Sequence, residues 1–147
     1  MIGIIVTGHG NFATGITSSV KLIAGMPENY QAVDFVQEDS VDDLIKHLTN
    51  AIEALKDCKE GILVFSDLVG GSPFKTSVEL AQKLKDQYHI VVLSGTNLGM
   101  LIESSMARGY MEDLDALADM AVNTGKDQAM KYVYTERKQE ETAGDGI

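Results

Sequence analysis

The chain has 147 residues, 44% apolar and 23% charged, which suits one globular domain and excludes both a disordered chain and a large multidomain assembly. Twelve Lys and Arg against 22 Asp and Glu leave a net charge of −10, so the chain has no bulk attraction to nucleic acid or to anionic membranes and instead steers basic proteins towards itself. The single cysteine, Cys58, cannot build a disulfide framework or a thiolate metal site on its own and reads as a buried, inert thiol.

The opening MIGIIVTGHG has no basic segment and too short an apolar run for a signal peptide, and no stretch approaches the ~20 apolar residues of a membrane span, so a cytoplasmic location is expected. Ile2 to Val6 is a β-branched run typical of a strand buried on both faces, and Gly8-His9-Gly10-Asn11 breaks it. Phe12, Ile16, Val20 and Ile23 then follow helical spacing until Gly25 and Pro27. Ala32 to Val36 reads as a second strand. Ser40 with Asp43 resembles a capping box, and Val41, Leu44, Ile45, Leu48, Ile52 and Leu55 make a clean amphipathic stripe behind it.

Gly61 to Phe65 is the third and most apolar strand. Ser66 to Gly71 forms its exit loop, with Ser72 as expected N-cap and Pro73 in the first turn of a helix carrying Phe74, Val78, Ala81 and Leu84. Ile90 to Leu93 is the fourth strand, and Asn97 caps a helix reaching about Ala107. A last helix from about Met111 presents Leu114, Leu117, Ala118 and Ala121, with Gly125 a candidate break. Tyr132 to Thr135 is β-prone after the last helix, where a strand has no obvious neighbour. Residues 1–135 are read as one domain and 136–147 as a polar, disordered tail.

Strands alternating with helices imply right-handed crossovers and an α/β fold: a flavodoxin-like parallel sheet in order 2-1-3-4 with helices on both faces. Its switch point lies between strands 1 and 3, so ligand chemistry belongs at their carboxyl ends, where His9 and Asp67 stand. His9 sits between two glycines that leave its ring uncovered. Asp67 is a candidate metal ligand, phosphoacceptor or histidine orienter. A receiver-type acceptor needs acids after strand 1, where Thr7-Gly8-His9-Gly10 stands, and no further ligands suggest a metal site. The economical reading is a carboxylate–imidazole pair that frees one ring nitrogen as a nucleophile. Gly70, Gly71 and Ser72 lead into a helix N-terminus and can cradle a phosphoryl group. His47 and His89 lie away from this crevice.

Other motifs fail. There is no phosphate-binding G-x-x-x-x-G-K-[ST], the Gly8-x-Gly10 run misses the dinucleotide fingerprint, and S-x-x-K occurs at both Ser18 and Ser72 and so carries little information. Flavin binding would want stacking aromatics, and the crevice loops offer Phe12 and Phe74 alone. No cofactor and no metal are expected.

IIVTGHGNFA at 4–13, ILVFSDLVGGSPF at 62–74 and SGTNLGMLIESSMARG at 94–109 resemble the mannose-type family (mannose, fructose, sorbose, N-acetylgalactosamine) of IIA components of the bacterial phosphoenolpyruvate-dependent sugar phosphotransferase system. The resemblance spans about residues 1–130. It implies a phosphotransferase in which His9 accepts a phosphoryl group from the phosphocarrier HPr, Asp67 orients it and Ser72 lies near the bound group. His9 then passes the group to a IIB component, here expected to be a separate polypeptide, for sugar uptake through the membrane components IIC and IID. It also implies a homodimer in which a C-terminal strand, Tyr132 to Thr135, crosses to the partner's sheet, a use for an otherwise exposed strand. In some members a threonine follows the aspartate, and here Leu68 takes that place. The rival readings are the phosphotransfer subunit of a phosphoenolpyruvate-dependent dihydroxyacetone kinase and a non-catalytic regulatory module of the same fold.

Overall fold

The computed structural model describes residues 1–136. Its centre is the strand β1 (Gly3–His9), hydrogen-bonded in parallel on one side to β2 (Tyr30–Phe35) and on the other to β3 (Ile62–Ser66), with β4 (Ile90–Leu93) outside β3. The order is therefore β2-β1-β3-β4, the order expected from the sequence. Alternation along the strands divides the core in two. Ile4, Val6, Leu63 and Phe65 pack beneath α1 (Phe12–Ala24), α4 (Leu98–Ala107) and α5 (Leu114–Gln128). Ile5, Ile62 and Val64 pack on the opposite face against α2 (Val41–Ala54) and α3 (Ser72–Lys83).

Several boundaries shift for physical reasons. β1 runs beyond Val6 to His9, because β2 continues alongside it and pairs His9 with Phe35. Gly8 is thus part of the strand, and its missing side chain admits Phe12, which would lie 2.5 Å from any Cβ there. The true break is Gly10, at φ +57 in the left-handed region that glycine adopts without strain. β2 begins two residues early at Tyr30, whose buried hydroxyl bonds Thr17 at 2.8 Å. The N-cap of α3 is Gly71, and Ser72 is its first residue. The helix turns Pro73, Thr76, Ser77 and Leu80 inward and leaves Val78 exposed, because small side chains let it sit close to the sheet and the Ser77 hydroxyl is satisfied by donating to Pro73 O.

The capping box of α2 is present in both directions between Ser40 and Asp43. α5 starts at Leu114 behind an Asp113 cap, and Gly125 does not break it. A Cβ at Gly125 would stand 2.7 Å from Met100 Sδ, so this glycine lets α4 and α5 approach. Cys58 is half-buried rather than buried, beside Gly3, and burial pushes its thiol pKa up. The expected strand at 132–135 does not form within the chain: Tyr132, Val133 and Tyr134 are exposed and join no ladder. The expected tail lies outside the described residues from 137 onwards. Among the described residues no helix is long and apolar enough to cross a membrane.

Candidate functional site

His9 is the last residue of β1 and Asp67 the first beyond β3, so adjacent pairing of the two strands delivers both side chains to one end of the sheet. Asp67 Oδ2 accepts two hydrogen bonds from His9, from the backbone N–H at 2.9 Å and from ring Nδ1 at 2.6 Å. Its other oxygen accepts the Leu68 N–H at 2.8 Å. Burial pushes the Asp67 pKa up, but the His9 backbone and ring bonds, the Leu68 N–H and the charge of His9 together hold it below its ordinary value. An ionised carboxylate only accepts, so Nδ1 donates, and the tautomer this bond selects has its lone pair at Nε2.

The ring is confined on two further sides. Phe35 meets it edge-on, with centroids 6.1 Å apart and planes at 61°. The backbone of Gly71 lies so close that a Cβ there would be 2.5 Å from His9 Cε1 and 3.2 Å from Nε2. Gly71 is therefore required to be glycine by the imidazole and not by its own backbone, which is extended at φ −78. Gly70, at φ +86, makes the turn that brings Gly71 under the ring. Nε2 thus faces the N-terminus of α3, where orphan N–H groups gather. All five residues singled out, His9, Asp67, Gly70, Gly71 and Ser72, lie at this end of the sheet, His9 closing β1, Asp67, Gly70 and Gly71 in the loop after β3, and Ser72 opening α3. Of these, His9 and Asp67 are joined by hydrogen bonds and Gly71 touches the ring. His9 keeps 48% of its side chain exposed, so it stands on a rim and not in a deep cleft.

Two positions escaped the sequence reading. Asp34 on β2 accepts the Thr14 N–H at 3.0 Å and the Thr14 hydroxyl at 2.6 Å, capping α1 from a neighbouring strand where the nominal cap Asn11 makes no side-chain bond. Phe35, next to it, accepts the Gly10 N–H at 2.7 Å through its carbonyl. The available signal was an aspartate inside the otherwise apolar segment AVDFV. His47 lies on the exposed side of α2 and His89 at the entry of β4, the far end of the sheet from His9. Among the described residues no three His, Cys, Asp or Glu side chains gather to hold a metal ion.

Residues 3–122 match the family model described as PTS system fructose IIA component. The chain is similar to the mannose-specific EIIAB component of Escherichia coli (strain K12), 33% identical over 126 residues, which covers 86% of this chain and 38% of that protein. It thus spans well under half the length of that relative. It is also similar to the sorbose-specific EIIA component of Lacticaseibacillus casei, 32% identical over 108 residues, covering 74% of this chain and 75% of that one. Among solved structures, the phosphotransferase system component EIIA from Streptococcus agalactiae superposes with a TM-score of 0.82 at 36% identity, over 89% of this chain and 97% of that chain.

Proposed function

Since this chain belongs to the mannose-type family of IIA components of the sugar phosphotransferase system, we propose that it is a histidine phosphocarrier working through His9 Nε2. The observation that carries the reading is the 2.6 Å contact between His9 Nδ1 and Asp67, which leaves Nε2 as the one open nitrogen, directed over Gly71 at the head of α3.

In the proposed step, Nε2 attacks the phosphorus of phosphorylated HPr in line. The new N–P bond forms as the donor's N–P bond breaks, and the donor imidazole leaves with the bonding pair. Catalysis is positioning and charge stabilisation. The N–H groups of Gly70 and Gly71 and the Ser72 hydroxyl hold the equatorial oxygens. The ionised Asp67 supports the positive ring of the phosphohistidine that results. His9 then returns the group to a IIB component that serves sugar uptake through membrane IIC and IID components. The carrier works in the cytoplasm as a homodimer, with Tyr132 to Thr135 adding to the partner's sheet. That segment is exposed and apolar in the single chain, as a strand awaiting an edge would be.

The test is the intact mass of the protein after incubation with phosphoenolpyruvate, enzyme I and HPr, beside His9→Ala. One acid-labile phosphoryl group on the wild type and none on the variant is the expected result. Normal labelling of the variant, or no labelling of the wild type, overturns the assignment.

A further inference from the structure

We infer that the cavity at the amino end of the sheet, between the end of α1 and the end of α4, binds a small monocarboxylate whose carboxylate meets Arg108 Nε and the Ser105 hydroxyl. The site is separate from His9, which stands at the opposite end of β1. The inference does not depend on the phosphocarrier reading.

The cavity measures about 180 Å³. That is the room of about six waters, or of one organic acid with a few carbons. Two of its lining residues, Ser105 and Arg108, stand three apart at the end of α4 and so share one face of it. Each carries a buried polar atom without a hydrogen-bond partner, Ser105 Oγ and Arg108 Nε. Arg108 is 4% exposed, and its terminal nitrogens are committed to the carbonyls of Ile2, Glu28 and Asn29. Carbonyls bring no full charge, and among the described residues no carboxylate forms an ion pair with this guanidinium. A buried cation without an anion and a buried donor without an acceptor are both costly. A carboxylate beside Nε and Oγ supplies the missing charge and both missing partners.

The rest of the lining narrows the class of ligand. Met1, Val20, Ala24, Pro27 and Met106 are apolar, so the cavity suits a short hydrocarbon end behind a charged head. Among the described residues Arg108 is the one unpaired cation there, since the Met1 ammonium is taken by Glu60. Glu28 also lines the cavity, is exposed, and adds a negative charge. One cation beside one acid favours a monoanion over the more highly charged phosphate. Nε and Oγ are sealed from bulk water. The ligand reaches them as the long, unbranched side chains of Met1 and Met106 give way, an adaptability characteristic of methionine.

The test is an NMR titration of the full chain with sodium propionate, read at the Arg108 Nε–H resonance, with sodium chloride at equal ionic strength and inorganic phosphate as parallel titrations. The expected result is a saturable shift with propionate and a melting temperature that rises with its concentration. Ser105→Ala is expected to raise the dissociation constant about tenfold, the worth of a hydrogen bond to a charged group. Ser105→Leu, which fills the cavity, should abolish saturation, with thermal melting to show that each variant folds. Glu28→Gln should tighten binding by removing a like charge, and the His9 ring signals should stay in place. No saturable shift in the wild type means that the cavity holds water only and overturns the inference. Unchanged affinity in a folded Ser105→Ala protein, or movement of the His9 signals in place of Arg108, puts the acid elsewhere and overturns it too. Phosphate binding tighter than propionate, a chloride titration that gives the same shift, or weaker propionate binding in Glu28→Gln overturns the monocarboxylate assignment.

Discussion

The two ends of the sheet each hold a basic side chain, and they hold it in opposite ways. At the amino end, Arg108 is 4% exposed and donates to the carbonyls of Ile2 at 2.8 Å, Asn29 at 3.0 Å and Glu28. At the carboxyl end, His9 is half exposed and tied through its ring to one carboxylate. Arg108 gathers backbone acceptors at the starts of β1 and β2, sharing the Asn29 carbonyl with the Ile4 N–H. Its own ionisation is not in play, although burial pulls its pKa below the ordinary value. His9 closes off nothing and keeps a lone pair open. In one sheet, a buried basic group whose terminal nitrogens bind three carbonyls, with Nε left unpartnered, serves folding, and a half-exposed basic group with one ring nitrogen open serves chemistry.

That contrast predicts a double dissociation. His9→Ala is expected to abolish phosphoryl acceptance while leaving the melting temperature close to wild type, because a rim side chain buries little apolar area. A large drop in stability, or surviving transfer, breaks the comparison at its active end. Asp67→Ala should follow at about 10²–10⁴-fold slower transfer, the range typical of lost orienting or acid–base groups, read by rapid-quench labelling. Asp67 also has a pH consequence. Its pKa is lower in the folded chain than its ordinary value, so its stabilising contribution is complete above the ordinary carboxylate range and is lost as pH falls through the lowered value. Asp67→Asn should flatten the acid limb of a stability-versus-pH profile, and an unaltered limb would remove Asp67 from it.

At the other end, Arg108→Ala removes a donor from three carbonyls, of which Asn29 O keeps the Ile4 N–H, and opens a cavity, for an expected loss of about 3 kcal/mol in denaturant unfolding. Arg108→Lys should recover part of it, since an ammonium can satisfy some of the same carbonyls but lacks the planar fork. The Arg108→Lys protein that remains folded should still accept a phosphoryl group at His9. Loss of transfer in a folded variant would mean that the two ends are coupled.

The two ends were also unequally legible. The β-branched runs at Ile2–Val6 and Gly61–Phe65, set in the flavodoxin-like order 2-1-3-4, place His9 and Asp67 side by side, because strand order decides which strand ends meet. Arg108 gave no such signal. At the end of a helix an arginine reads as solvated, and its acceptors lie 106, 80 and 79 residues away in the chain. Asp34 was hidden likewise, since a cap supplied from another strand leaves no local pattern at the helix it caps. Glycine misled in two places. Gly8 and Gly125 looked like breaks, yet each is a packing residue whose missing Cβ makes room for a neighbour, Phe12 and Met100 respectively. Local sequence reports which backbone angles a glycine permits and not which side chain will fill the space it vacates.

The smallest effect separates two adjacent glycines beneath the ring. Gly71 has an extended backbone at φ −78 that alanine adopts freely, and its Cβ would meet His9 Cε1 at 2.5 Å. Gly70 sits at φ +86 with nothing within 4 Å of its Cβ position. Gly71→Ala should therefore displace the imidazole and slow transfer by about tenfold, with stability changed by less than about 1 kcal/mol from the poorer helix cap. Gly70→Ala should do the reverse, straining the backbone by about 1 kcal/mol while leaving the ring where it is. Measuring the transfer rate and the unfolding midpoint of both variants places them on one plot. If Gly70→Ala slows transfer as much as Gly71→Ala, the loop acts as a whole by its conformation. If the two fall on different axes, the close approach at Gly71 is what confines His9, and the carboxyl end is built for position even at the scale of one methyl group.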